Sequence, residues 1–317
     1  PEGSDTIPWL SGSGVSTGYR PLLSWGGNLT FDPMALEIVA VGATNGYSSE
    51  STPAGNHTAE LRLPLVTGTF AKTWAPFASN TAHQYDANST TDSPLGRLRR
   101  SYSDAGLYRK SSGAWAYVDH TGSGKMGINT AQSPSAEYHP RLGRQGSFVV
   151  ASASGILGRL DEHSAAQSQI AATSSGVGGP EVICAYHPAI DKVIFGGGTG
   201  GTTLYTVDSA GTVASFTATF PAGVTEIGPR DVINAVLAPD PQGRAFAWLF
   251  DKSATGKVWR LNLSTQAWTD MGAMPAGVSG SYCVATVPPL GIHVLLASGV
   301  SVSAGVNDSK VWAYRPA

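Results

Sequence analysis

Four residues have the side-chain types that cleave an acidic polysaccharide: His120, Tyr138, Arg230 and Asp231. A lyase takes a proton from the sugar with a Tyr or His base while a nearby cation neutralises the carboxylate, and a hydrolase needs a paired acid and base. Arg230 and Asp231 are neighbours in Gly228-Pro229-Arg230-Asp231, where they read either as an ion pair within a turn or as a grip on a carboxylate or on sugar hydroxyls. Other motifs lack the context that gives them chemistry. Gly14-Val15-Ser16-Thr17-Gly18 fits G-x-S-x-G, but nothing after Ser16 reads as the helix that a nucleophile elbow requires. Gly122-Ser123-Gly124-Lys125 has Asp119 where a phosphate loop needs its first Gly, and Met126 where it needs Ser or Thr.

The seven histidines, His57, His83, His120, His139, His163, His187 and His293, show no HExxH or Cys/His pairing, so no metal site and no cofactor is expected. His139 and His187 recur in equivalent Tyr-His-Pro turns, and repetition points to structure, such as a bond to backbone. Cys184 and Cys283 are too few for a disulfide scaffold, and they fall on equivalent strands of units that are not neighbours, so they read as buried free thiols.

Composition narrows what can hold such residues. The chain has 317 residues, 41% of them hydrophobic, enough for a large core. With 39 Gly and 20 Pro it favours many tight turns over long helices. Only 13% of residues are charged, about half the usual share, so Ser, Thr, Asn, Gln and backbone must cover much of the surface. The densest basic cluster is Arg97-Leu98-Arg99-Arg100 and the net charge is −2, which argues against nucleic acid as partner. No apolar run is long enough for a helical membrane span. High Gly, Ser, Thr and Ala with few Lys and Cys suits a virion or extracellular protein. Five Asn-x-Ser/Thr sequons begin at Asn28, Asn56, Asn88, Asn262 and Asn307, and they matter only in a host that glycosylates.

The strongest signal is a repeat. Lys257-Val258-Trp259-Arg260-Leu261 reads as a strand, followed after a polar turn by a second strand at Trp268. Copies centre on Leu61, Tyr108, Leu157, Tyr205 and Trp312, spaced by 47 to 54 residues. A second landmark keeps the rhythm: Phe31-Asp32-Pro33, Tyr138-His139-Pro140, Tyr186-His187-Pro188, Leu237-Ala238-Pro239 and Thr286-Val287-Pro288 each precede an apolar strand. The copy expected near Tyr85-Asp86 has no Pro. Each unit thus reads as four short strands, A to D, with Trp74, Trp115, Phe216 and Trp268 on D strands. Apolar runs between turns are what strands buried on both faces look like, and stacked blades bury strands that way.

Phe195-Gly196-Gly197-Gly198 resembles the kelch strand that ends in a glycine doublet, and Val258-Trp259-Arg260-Leu261 with Trp268 resembles the spaced aromatic pair after it. The resemblance implies an all-β chain, a single six-bladed β-propeller of four-stranded antiparallel blades. It implies little about activity. The kelch-like oxidases use a copper site of Tyr, His and a Tyr–Cys crosslink, and no residue set here carries it over. The chain is read as one domain, 1–317, with blades at about 20–75, 76–118, 119–172, 173–222, 223–270 and 271–317. The last unit reaches Ala317 with no D strand, so residues 4–10, with Trp9, are expected to supply it and close the ring.

Binding is expected on the face that carries the D–A and B–C loops. The B–C loops of blades one and six are read as long and polar, with Asn45, Tyr47, Glu50 and His57 in one and Asn307 and Asp308 in the other, and with Arg230 and Asp231 near the channel mouth. Such loops suit glycan or protein. The function expected is a non-catalytic recognition or structural module, a phage tail or head appendage or an extracellular component. Its partners would be other structural proteins of an assembly or a cell-surface glycan. The alternative is a secreted polysaccharide-active enzyme with His120, Tyr138, Arg230 and Asp231 at the channel mouth.

Overall fold

The computed structural model describes residues 28–32, 36–43, 57–65, 71–76, 90–93, 96–100, 107–111, 114–118, 135–151, 156–161, 167–172, 182–198, 200–201, 203–216, 218–228, 235–251, 256–274, 281–301 and 306–317. The first sheet is β1 (Asn28–Asp32), β2 (Glu37–Ala43), β3 (His57–Pro64) and β4 (Ala71–Pro76). The second is β5 (Thr90–Ser93), β6 (Gly96–Arg100), β7 (Leu107–Ser111) and β8 (Ala114–Val118). The third is β9 (Ser135–His139), β10 (Ser147–Ala151), β11 (Ile156–Asp161) and β12 (Gln167–Ala172). The fourth is β13 (Ile183–His187), β14 (Lys192–Gly196), β15 (Leu204–Asp208) and β16 (Val213–Phe216). The fifth is β17 (Ala235–Pro239), β18 (Phe246–Asp251), β19 (Lys257–Asn262) and β20 (Trp268–Ala273). The last is β21 (Ser281–Val287), β22 (Ile292–Ser301) and β23 (Val306–Tyr314).

Each sheet is an antiparallel meander in chain order, and the architecture is a propeller of four-stranded antiparallel blades. The expectation of six complete blades is not met strand for strand. Among the described residues five sheets have four strands and the last has three, and residues 4–10 lie outside the described residues. The first strands lie side by side in the order β1, β5, β9, β13, β17, β21, and β21 lies beside β1.

The apolar runs form these sheets because both faces of a blade are covered. On β18, Ala247 and Leu249 pack towards Ile183, Ile194 and Leu204 of the fourth sheet. Trp248 and Phe250 alternate with them and pack towards Leu295 and Trp312 of the last. Successive strand residues point to opposite faces, so one continuous apolar run supplies two interfaces. β14 does the same, with Ile194 facing the fifth sheet and Val193 and Phe195 facing Val149 and Leu157 of the third. Phe31 and Ile38 of the first sheet pack on Ala285, Val287 and Val294 of the last.

Two sequence readings are corrected here. The first strand of the second unit is β5, which runs to Ser93 and so ends later in the chain than Tyr85-Asp86. The basic cluster Arg97–Arg100 is strand β6. The loop read in blade six is mostly hairpin: β22 and β23 pair out to Ser301↔Val306, which puts Asn307 opposite Val300 and Asp308 opposite Gly299. Val294 and Val300 on β22 and Val306 and Val311 on β23 favour a pleated strand, and Ser298, Gly299 and Ser301 do not interrupt the pairing.

Candidate functional site

Described polar groups gather where the first and second strands of the third, fourth and fifth sheets join. In the third sheet Tyr138 is buried near the end of β9, lies tilted against Phe148 with ring centroids 5.3 Å apart, and donates its hydroxyl to the Gln145 carbonyl at 2.9 Å. Gly146 follows with φ +85°, and a Cβ there would collide with the Tyr138 ring, so a left-handed glycine and the buried tyrosine fix the turn together. Ser147, wholly buried, donates to the Leu142 carbonyl at 2.9 Å and accepts from Arg159 Nε at 2.8 Å.

The seam between the third and fourth sheets carries a polar cluster. Arg141 reaches from its turn to Asp191 with Nε at 2.9 Å and a second nitrogen at 2.6 Å. Tyr186 donates its hydroxyl to the same carboxylate at 2.9 Å, and the His139 ring lies 5.0 Å from the Tyr186 ring. Asp191 holds φ +51°, a conformation that costs a non-glycine residue energy. Burial pushes the Asp191 carboxyl up, but the hydrogen bonds from Arg141 and Tyr186 and the Arg141 charge outweigh it and hold the carboxyl below its ordinary range. Burial, with the bond to Asp191 and the carboxylate's charge, pushes Tyr186 up to about 12. A base must lose its proton near the working pH, and Tyr186 is driven the opposite way.

In the fifth sheet the turn Asp240-Pro241-Gln242-Gly243-Arg244 closes on the Asp240 carboxylate. Oδ2 accepts the N–H groups of Gln242 and Arg244, both at 3.0 Å, and Arg244 Nε at 3.1 Å. Oδ1 accepts Arg244 Nη2 at 2.9 Å and Trp248 Nε1 at 2.7 Å. Arg244 also donates to the Ala317 carbonyl at 2.9 Å, which ties this turn to the end of the last sheet. Burial opposes ionisation of Asp240, yet these donors hold its carboxyl below the ordinary range.

On the opposite face, three consecutive glycines at the end of β14 take positive φ: Gly196, Gly197 and Gly198. Gly197 donates its N–H to the Thr203 carbonyl and Gly198 to the Ile227 carbonyl. A Cβ on Gly197 would strike the Ile227 carbonyl, so the glycines let the connection into the next blade lie against this one.

Of the four catalytic candidates named from sequence, only Tyr138 lies among the described residues. Tyr138 serves the third sheet's turn. His120, Arg230, Asp231, Asn45, Tyr47 and Glu50 lie outside the described residues. His57 opens β3 opposite Pro76, and Asn307 and Asp308 lie on β23. The groups that do converge, Arg141 with Asp191 and Asp240 with Arg244, were missed. The available signal was a charged residue just past each Tyr-His-Pro or Ala-Pro landmark. His139 and His187, marked as structural, are wholly buried at the ends of β9 and β13, and His139 Nδ1 accepts the Arg141 N–H at 3.3 Å. Cys184 is half-buried, and its Sγ donates towards the Val149 carbonyl at 3.6 Å. Among the described residues no three His, Cys, Asp or Glu side chains are placed to hold a metal, and no helix is long and apolar enough to cross a membrane.

Fold and packing define the class, a β-propeller. No protein-family description matches the chain, and none of the curated proteins matches it in sequence. Its likeness is to solved structures. A novel fungal alcohol oxidase of the AA5 family, in complex with copper, superposes with a TM-score of 0.53 at 10% identity, over 95% of this chain and 76% of that one. The structure of YjhT superposes with a TM-score of 0.54 at 10% identity, over 92% and 95%. A protein of unknown function from Bacteroides thetaiotaomicron gives 0.56 at 10% identity, over 95% and 73%. At such identities the likeness is one of fold alone.

Proposed function

We propose that the protein is a non-catalytic recognition or structural module, a phage tail or head appendage or an extracellular component, that binds other structural proteins or a cell-surface glycan through loops on one propeller face. One observation carries the reading. The ionisable groups that converge are bonded to one another and to backbone, and their pKa shifts deepen the charge states they already hold. Asp191 and Asp240 stay ionised and Tyr186 stays protonated, which fastens blades together and leaves none of them poised for proton transfer. A chain with only 13% charged residues also suits packing against neighbours. The finer architecture proposed with this function is a six-bladed, kelch-like ring in which residues 4–10 complete the last blade. The cyclic order of first strands and the three-stranded last sheet support it.

The test presents the full chain to a glycan array, to its native assembly by electron microscopy, and to acidic polysaccharides in a turnover assay. Glycan binding without turnover, or symmetric copies packed on other proteins, is expected. Turnover lost on Arg230→Ala or Tyr138→Phe overturns the proposal, and so does the absence of both binding and co-assembly.

A further inference from the structure

Three buried imidazoles remain that no part of this reading uses. His139, His187 and His293 are 0%, 1% and 0% exposed, and all three sit at the end of the propeller where first and second strands join. His139 lies against Tyr186 across the seam between the third and fourth sheets. His293 lies across the seam between the fifth and last, its ring 6.2 Å from Trp248 and 5.2 Å from Phe250, with Tyr314 of its own sheet stacked at 6.4 Å. His187 ends β13, whose neighbours in the ring are β9 and β17.

His139 Nδ1 accepts a backbone N–H, a role that only the neutral ring can fill, and His293 Nδ1 lies 3.3 Å from Thr286 Oγ1, while among the described residues Nε2 of each meets no hydrogen-bond partner. Neither nitrogen of His187 has one. A second proton would put a charge and an unmatched donor into apolar surroundings, and on His139 it would also remove the acceptor that Arg141 uses. The facing charges do not offset this. Asp191, by its charge and through its backbone, and Asp208 favour the charged His139 ring and Arg141 opposes it, but burial outweighs them and the Asp191 carboxylate is already held by Arg141 and Tyr186. Asp240 acts on His293, with Tyr314 beside it, but Asp240 is held by five donors. For His187 burial is the sole influence.

We propose that His139, His187 and His293 form an acid-sensitive latch that holds the blade seams closed while neutral and releases them on proton uptake. Burial depresses all three, His187 and His293 to about 3. Because these folded values lie below the unfolded value of about 6.5, the unfolded chain binds more protons in between. The stability is therefore fully present above about pH 6.5 and is lost as pH falls towards 3. The depressed carboxylates Asp191 and Asp240 act lower, below about pH 4, so the window from about pH 6 to 4.5 reports on histidine.

Urea unfolding of the full chain across pH 7.5 to 4.5 tests it. The unfolding constant should rise about tenfold per pH unit for each imidazole, hence about 100-fold per unit for His187 and His293 together. His187→Asn and His293→Asn should each remove about one factor of ten per unit. An NMR titration of the ring protons of the native chain gives an independent readout, in which His187 and His293 stay neutral through pH 5 while folded and His139 titrates below its ordinary value. A flat wild-type profile, a native titration near 6.5, or an unchanged slope in variants that fold overturns the latch. If the variants do not fold, the wild-type slope and the titration decide.

Discussion

Asp240 takes five hydrogen bonds on one carboxylate, and its side chain is wholly buried while Arg244 is about a third exposed. Removing the acceptor leaves a guanidinium, an indole N–H and two backbone N–H groups without it. Asp240→Ala should therefore cost about 3–5 kcal/mol, read as a lower urea midpoint at pH 7. Its folded pKa is depressed, so the contribution is present above the unfolded value near 3.9 and lost as pH falls through the folded value. Tyr138→Phe is the milder case. It loses one bond to a carbonyl in an exposed turn, which water can replace, and should cost about 1 kcal/mol with the fold intact. If it instead abolished turnover of a polysaccharide, Tyr138 would be a base after all. Sequence marked Arg230 with Asp231 because adjacent opposite charges are conspicuous. Asp240 and Arg244 look like an ordinary polar turn until Pro241 and Gly243 fold the chain back and bring Arg244 and Trp248 onto the Asp240 carboxylate.

At the scale of elements the decisive feature is a strand that serves two cores. Leu249 is wholly buried towards the fourth sheet and Trp248 towards the last, so single truncations on β18 should damage different seams. Leu249→Ala should cost about 2–5 kcal/mol, and amide exchange should rise in β13 and β14 more than in β21 and β22. Equal acceleration on both sides would mean that the seams are not separable. Strand pairs were legible in the sequence because the Trp-centred strand and the Pro turn recur with nearly one period. The second unit was misplaced because Arg97, Arg99 and Arg100 disguise β6 as a basic cluster, although Leu98 keeps it a strand. The β22–β23 hairpin was cut short for a related reason. Ser and Gly read as loop by composition, whereas pairing continues wherever the backbone finds a partner strand. The three-glycine end of β14 was legible, since only glycine tolerates the run of positive φ found there.

For the whole molecule the open question is the outer edge of the last sheet. In the five complete sheets the third strand is covered by a fourth, and among the described residues β23 has no such cover. A strand of nine residues with one side unpaired is a template for another chain. In the closure proposed above, residues 4–10 would cover it from within, and Trp9 would take the place that Trp268 holds on β20. A chain lacking residues 1–10 should then melt earlier and associate through β23, and light scattering should show dimers or larger species that the intact chain does not form. Trp9→Ala should lower stability by about 3 kcal/mol or more, the cost of deleting a packed indole, without removing the strand. The two changes separate the possibilities. If truncation and Trp9→Ala both leave melting and association unchanged, residues 4–10 do not cover β23. If truncation destabilises while Trp9→Ala does not, the strand closes the ring through its backbone and the indole packs elsewhere.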